Sequence, residues 1–246
     1  MREIIRKIAR QVLPAHLYRH VVRLTREPLV GRVNFGSLRR VTPVSKVWGF
    51  DRGKPVDRYY IERFFSRSAP DIQGHVLEIG DDVYTLQFGG ERISKSDILH
   101  VAEGYAKATI VADLTRADHV PSNTFDCILC TQTLHLIYET PKAIRTLHRL
   151  LKPCGVLLLT TPGISQISRN DMDRWGDYWR FTRASAQRLF TEVFPEDNVR
   201  IETYGNVLAA TAFLHGLSVE ELTEDELDHS DPDYEVTIAI RAMKPQ

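Results

Sequence analysis

The sequence predicts an α/β protein: a mostly parallel sheet of seven strands, the last one antiparallel, preceded by a helical arm. Three observations carry this. From Gly74 onward, short apolar runs alternate with stretches of helical periodicity, the pattern of βαβ units. The first run, 75–79 (HVLEI), stops abruptly at Gly80, as a buried strand does where its carboxyl end opens into a turn. The final run, 234–241, is rich in β-branched residues and follows close behind 198–204, so the two suit a hairpin-like pair at the sheet edge.

At 246 residues, 43% hydrophobic and 26% charged, the chain suits one large folded domain with a small attachment. Its formal net charge of zero argues against the overall basic footprint of a nucleic-acid binder. The charge is unevenly spread. The first forty residues hold ten Lys/Arg against two acids, whereas 220–235 hold nine acids and no base. Two readings stay open: solvated patches of opposite sign, or a basic arm making peripheral contact with a membrane or protein partner. Cys127 and Cys130 have the CxxC spacing, but on a strand residues i and i+3 face opposite sides, so they neither chelate nor bridge. All three cysteines read as reduced core residues of a cytoplasmic protein. No run approaches the length of a membrane span, and no leader pattern opens the chain.

Taken in order, residues 1–24 place Ile4, Ile5, Ile8, Val12, Leu13, Leu17, Val21 and Leu24 on one helical stripe, with Arg2, Arg6, Lys7, Arg10 and Arg19 mostly elsewhere. Pro14 is expected to split that segment. Residues 25–57 are punctuated by Gly and Pro, more connection than a compact domain needs, which suggests a functional lid. A helix over 56–66 leads into the sheet. The expected division is therefore an arm and lid over 1–66 and a sheet domain over 67–246. Strands are expected at 75–80, 92–97, 109–112, 125–131, 155–161, 198–204 and 234–241. Helices are expected at 141–151 and 182–194, with weaker patterns at 100–106 and 218–228.

The strand ends carry acids. Glu78-Ile-Gly80 closes the first strand; Asp97, nineteen residues after Glu78, closes the second; Asp113 closes the third. An acid after the second strand can accept both hydroxyls of a ribose, and one after the third can accept from an adenine amine. Each alone is as easily a helix cap. In series they point to an adenosine-containing ligand.

The segments VLEIGDD, SDILH, IVADL, NTFDCILCTQTLHLI and AIRTLHRLLKPCGVLLLTTPG together resemble a class I S-adenosylmethionine-dependent methyltransferase of the methyltransferase type 11 kind, over about 74–241. That resemblance implies a Rossmann-like fold with S-adenosylmethionine as cofactor. It puts Glu78, Gly80 and Asp82 at the methionine end, Asp97 at the ribose, Asp113 at the adenine, and Thr131 and Gln132 beside the methyl donor. The family's glycine loop is altered, because Asp82 and Tyr84 stand at its second and third glycine positions, and only about eleven residues separate Gly80 from the second strand. Carboxylates there repel a phosphate but not a sulfonium, which disfavours a nicotinamide cofactor and remains compatible with S-adenosylmethionine.

For the acceptor, His135 after the fourth strand is the candidate general base, one position before the usual family histidine, which Leu136 replaces. Trp175, Asp177, Tyr178, Trp179 and Arg180 combine aromatic faces with charges suited to a sugar or planar ring. The alternative for them is a hinge covering the sheet. The segment also resembles a WRFT-containing subset associated with bacterial glycan assembly, which implies O-methylation of a saccharide. No metal-ligand cluster is apparent, so a metal-independent reaction is expected. The rival from another class is a degenerate fold serving as a non-catalytic binding or scaffolding module. A nucleic-acid methyltransferase is disfavoured, since neither an Asn/Asp-Pro-Pro-Tyr/Phe signature nor a suitably placed Pro-Cys nucleophile is present.

Overall fold

Pro14 divides the amino-terminal periodicity as its missing N–H requires: α1 (Arg2–Val12) ends before it and α2 (Ala15–Thr25) begins after it. The structure, a computed structural model, describes residues 2–25 and 27–246, without the side chains of Arg2 and Arg6. Met1, the first residue of the predicted helical segment, lies outside the described residues. The chain divides into two compact units, one reaching to Thr42 and the other Pro43–Gln246. The expected boundary at 66/67 therefore moves. Helix α3 (Val56–Arg67) belongs to the larger unit because Val56, Tyr60, Ile61, Phe64 and Phe65 are buried in its core.

The larger unit continues through β1 (Gly74–Ile79), α4 (Val83–Gly89), β2 (Ile93–His100), β3 (Ile110–Val111), β4 (Phe125–Thr131), α5 (Thr140–Leu150) and β5 (Leu151–Pro162). It closes with α6 (Arg169–Arg174), α7 (Arg183–Thr191), β6 (Val199–Tyr204), α8 (Val207–His215), α9 (Glu224–Asp228) and β7 (Thr237–Met243). The strands form one sheet in the order β3-β2-β1-β4-β5-β7-β6. All pairs from β3 to β5 are parallel, and β7 runs antiparallel between β5 and β6. This is the Rossmann-like architecture that the sequence predicts. The chain moves from β1 outward to β2 and β3, then returns to place β4 on the other side of β1. That reversal opens a crevice above the carboxyl ends of β1 and β4.

Strand alternation builds a core on each face. Leu77, Leu99, Ile128, Leu157 and Leu159 pack on one side with α5 and α7; Val76, Leu129, Val156 and Leu158 pack on the other against α3. Cys130 lies in the first core and Cys127 in the second, on opposite faces, and both are free thiols. Cys154 is not a core residue: it is exposed, near the start of β5, with a left-handed φ of 62°.

Three helices escape the sequence patterns. Helix α4 has seven residues, too few to show a period, and α6 has six. Helix α8 is apolar nearly all round, with Ala209, Ala210, Ala212 and Phe213 buried, so no polar face marks it. The weak pattern at 100–106 forms a turn instead, with Gly104 at φ 94°. No helix among the described residues is long and apolar enough to cross a membrane.

Candidate active site

Two neighbouring cavities open at the carboxyl end of the sheet, and the same two chain segments wall both. The first cavity, about 540 Å³, lies above β1, β2 and β3 and is lined by Ile79, Gly80, Leu99, His100, Asp113 and Leu114. Thr133, Ile137 and Tyr138 after β4, and Trp175 and Tyr178 after α6, close it. The second, about 240 Å³, is lined by Thr131, Gln132 and His135 from the β4 end and by Ser165, Asp171, Asp177 and Arg180 after β5. Trp48, Phe50, Asp57 and Arg58 complete it, with Thr237 from β7.

Gly80 sits at φ 94°, where a side chain is strained, and a Cβ there would meet nothing within 4 Å. Its glycine therefore serves the backbone turn and leaves the cavity wall bare. Glu78 is corrected: it does not line the cavity. Its buried carboxylate turns the other way and accepts the backbone N–H groups of Tyr84 (3.2 Å) and Thr85 (2.7 Å), closing the first turn of α4. Burial pushes this carboxyl up to about 7, outweighing those two bonds. Alanine at Glu78 leaves two buried N–H groups without acceptors. We expect it to cost about 2–4 kcal/mol and to lower the melting temperature by roughly 5–15 °C, read by differential scanning calorimetry.

The loop aspartates are also placed differently from expectation. Lys107, from the turn after β2, bonds Asp81 at 3.2 Å and Asp82 at 3.0 Å. The N–H of Asp82 donates to the Asp81 carboxylate, which with Lys107 holds Asp81 down to about 2. Neither aspartate lines either cavity. They fasten a loop that has lost two glycines, a role invisible without the long-range partner.

Asp97 is the clearest correction. Strand β2 runs on to His100, so Asp97 pairs in register with Leu77, inside the sheet and three residues short of the strand end. It is buried, and its carboxylate bonds His75 Nε2 (2.5 Å) and Lys95 Nζ (2.8 Å). Burial alone would raise its pKa, but the bonds from Lys95 and His75 prevail and hold it at about 2. His100 stands where the ribose acid was expected. Its Nδ1 lies 2.8 Å from the Ala102 carbonyl, and its ring stacks on Tyr105. Asp113 does line the cavity, with one carboxylate oxygen accepting from both the N–H and the hydroxyl of Thr115 at 2.8 Å. Apolar walls, a bare glycine backbone and the Asp113 carboxylate together fit an adenosyl group, with the β2-end acid exchanged for histidine.

Thr131 and Gln132 lie in the second cavity, where Gln132 has a left-handed φ of 45° and donates its N–H to Thr160. Strain at a cavity wall is a common mark of a functional turn. His135 follows, 7% exposed, on the single 3-10 turn Leu134–Leu136. Its carbonyl accepts the N–H groups of Tyr178 and Trp179, which clamps the post-α6 segment onto the β4 end. Three buried polar atoms of this cavity have no hydrogen-bond partner among the described residues: Thr131 Oγ1, His135 Nδ1 and Thr237 Oγ1. Native interiors rarely leave such atoms unpaired; Thr85, Thr160, Thr161 and His215, which line neither cavity, hold the others among the described residues.

Burial lowers the His135 imidazole to about 4, against only partial opposition from Asp177. The linkage has a definite sign. As pH falls below 6.5 the unfolded chain takes up a proton that folded His135 refuses until about pH 4, so stability is lost across that window. Between pH 7 and pH 5 the wild type should lose about 2 kcal/mol more than a His135→Asn protein, measured by urea unfolding at both pH values.

Of the predicted acceptor-side residues, Trp175 and Tyr178 line the first cavity and Asp177 and Arg180 the second, whereas Trp179 lines neither and stacks on Tyr138 at 5.7 Å between ring centroids. Asp177 also braces the loop: it pairs with Arg180 at 2.5 Å and 2.9 Å and accepts the N–H of Ser168. Arg180 in turn donates to the carbonyl of Gln166 at 2.6 Å. Sequence reasoning missed Asp57, Arg58, Thr237 and His100. Asp57 was legible only as the first acid of a helix; burial raises its carboxyl, with Arg58 opposing.

Comparisons with known proteins agree with the fold. A family model described as "Methyltransferase domain" matches residues 39–200. The ubiquinone/menaquinone biosynthesis C-methyltransferase UbiE of Enterobacter sp. (strain 638) is 34% identical over 96 residues, covering 39% of this chain and 35% of that protein. The match thus spans about a third of that relative's length. Among solved structures, an S-adenosylmethionine-dependent methyltransferase from Archaeoglobus fulgidus is 13% identical with a TM-score of 0.50, covering 76% of this chain and 94% of the other. Haemonchus contortus phosphoethanolamine N-methyltransferase 2, in complex with phosphomonomethylethanolamine and S-adenosylhomocysteine, is 16% identical with a TM-score of 0.51. It covers 78% of this chain and 54% of that one. At such identities the structural likeness concerns the fold.

Proposed function

This chain belongs to the family of S-adenosylmethionine-dependent methyltransferase domains, and from that premise we propose that it methylates an oxygen of a small hydroxylated acceptor, a saccharide by preference, without a metal ion. The observation that carries the proposal is the pair of cavities sharing walls at the β4 end, one fitted to an adenosyl group and the other to a polar acceptor. When bound, S-adenosylmethionine supplies an electrophilic methyl group on a sulfonium. Gly80, Asp113 and the apolar residues Leu99, Leu114 and Ile137 would hold it, with His100 at the ribose end.

The chain's own part is to position the acceptor and handle its proton. Thr131 and Thr237 line the cavity that would take the acceptor, and no group among the described residues bonds their hydroxyls. His135 stays neutral at physiological pH and lines this cavity, so its imidazole can accept the proton that the attacking hydroxyl sheds. Asp57, which lines the same cavity and whose carboxyl burial raises, is the second candidate for that proton. Trp175 and Tyr178 cover the first cavity from outside and limit water. Among the described residues no group of His, Cys, Asp or Glu is placed to hold a metal ion, and no step here calls for one.

The test is transfer of label. Incubated with methyl-labelled S-adenosylmethionine and an extract of the source organism, the protein should label a small polar molecule as a methyl ether. Label on nitrogen, carbon or a macromolecule would overturn the acceptor class. Cofactor binding with no label in any fraction would favour the scaffolding alternative.

A further inference from the structure

The two amino-terminal helices expose their apolar faces rather than burying them. On α1, Ile4 is 63% exposed, Ile8 57% and Val12 73%, at positions i, i+4 and i+8 of one stripe. Among the described residues of the arm only Ala9 is buried, and α2 has no buried residue. On α2, Leu17 and Leu24 are likewise exposed. Two amphipathic helices joined at Pro14 therefore present isoleucine, valine and leucine to the outside, an arrangement that soluble surfaces seldom keep without an occupant.

Charge identifies the occupant. Residues 2–25 hold six Lys/Arg and one acid, and Lys7, Arg10, Arg19 and Arg23 are exposed. A basic polar face beside an exposed apolar stripe fits the interface of an anionic bilayer, where the stripe enters the acyl boundary and the cations meet lipid phosphates. A second copy of this strongly cationic segment would repel the first. The acidic stretch 220–235 is a poor substitute, since Glu221 is paired with Arg52, Glu220 bonds the Lys54 N–H and Asp228 is paired with Arg63. We infer that residues 2–25 form an amphipathic anchor that docks this methyltransferase on anionic membrane surfaces.

The test uses the full chain and vesicles of phosphatidylcholine, alone or mixed with phosphatidylglycerol, read by co-sedimentation. Binding should require phosphatidylglycerol and weaken as salt rises. Ile8→Asn with Val12→Asn, and separately Arg10→Glu with Arg19→Glu, should each weaken it at least about tenfold. The thermal shift given by S-adenosylhomocysteine should stay unchanged in both variants, which shows that the sheet domain remains folded and keeps this inference separate from the proposed reaction. Equal binding to neutral vesicles would overturn the electrostatic part. No binding to either vesicle, or a dimer in sedimentation velocity that Ile8→Asn with Val12→Asn dissociates, would overturn the whole and make a second copy the occupant.

Discussion

Valine in place of Gly80 is expected to weaken S-adenosylhomocysteine binding by at least about a hundredfold, close to 2.7 kcal/mol, while the protein still folds. Two effects separate here. The φ of 94° strains any side chain, and a β-branched one most, at a stability cost of about 1–2 kcal/mol. In a domain of this size that lowers the melting temperature by roughly 2–8 °C. The space around the added Cβ holds no protein atom within 4 Å, so packing adds nothing further. What the valine does occupy is the bare wall of the first cavity. Titration calorimetry and a melting curve on the same sample distinguish the two effects. An affinity unchanged from wild type would show that the cofactor does not rest on the β1 turn.

Alanine at His135 is expected to lower kcat by about 10²–10⁴ with little change in cofactor affinity, if its imidazole takes the acceptor's proton. The pH profile decides between His135 and Asp57. A base acts unprotonated, so activity falls as pH drops through its pKa. With His135 as base, the acidic limb lies near pH 4 and the rate is flat through neutrality. With Asp57 as base, the limb follows the carboxyl that burial raises, and Asp57→Asn abolishes that limb while His135→Ala leaves it. The readout is kcat/KM against pH on the acceptor found by label transfer. Both variants retaining full turnover would leave positioning alone as the source of rate.

Several elements were legible because their causes are local. The apolar alternation of β1, β4 and β5 follows from strands buried on both faces, and Pro14 splits α1 from α2 by its own chemistry. The opposed cysteines of β4 follow from a two-residue period. Gly80 and Asp113 reach the cavity because strand ends in a parallel sheet point into the crevice wherever the strand stops. Asp97 failed on that same point. Nothing in KSDILH marks whether the strand stops at Asp97 or three residues later, and pairing with β1 decides it.

The sequence by itself determined the α/β class, the family resemblance and the carboxyl-end location of the site, since hydrophobic period and strand-end residues are properties of neighbouring positions. Only the tertiary structure decided what the charges do. Lys107 claims the loop aspartates, His75 and Lys95 claim Asp97, and the α4 amides claim Glu78. It also brought Asp57 and Thr237 from distant segments to the cavity that His135 lines. A carboxylate's role is set by whichever donor lies within about 3 Å, and in a folded chain that donor is seldom its neighbour in sequence.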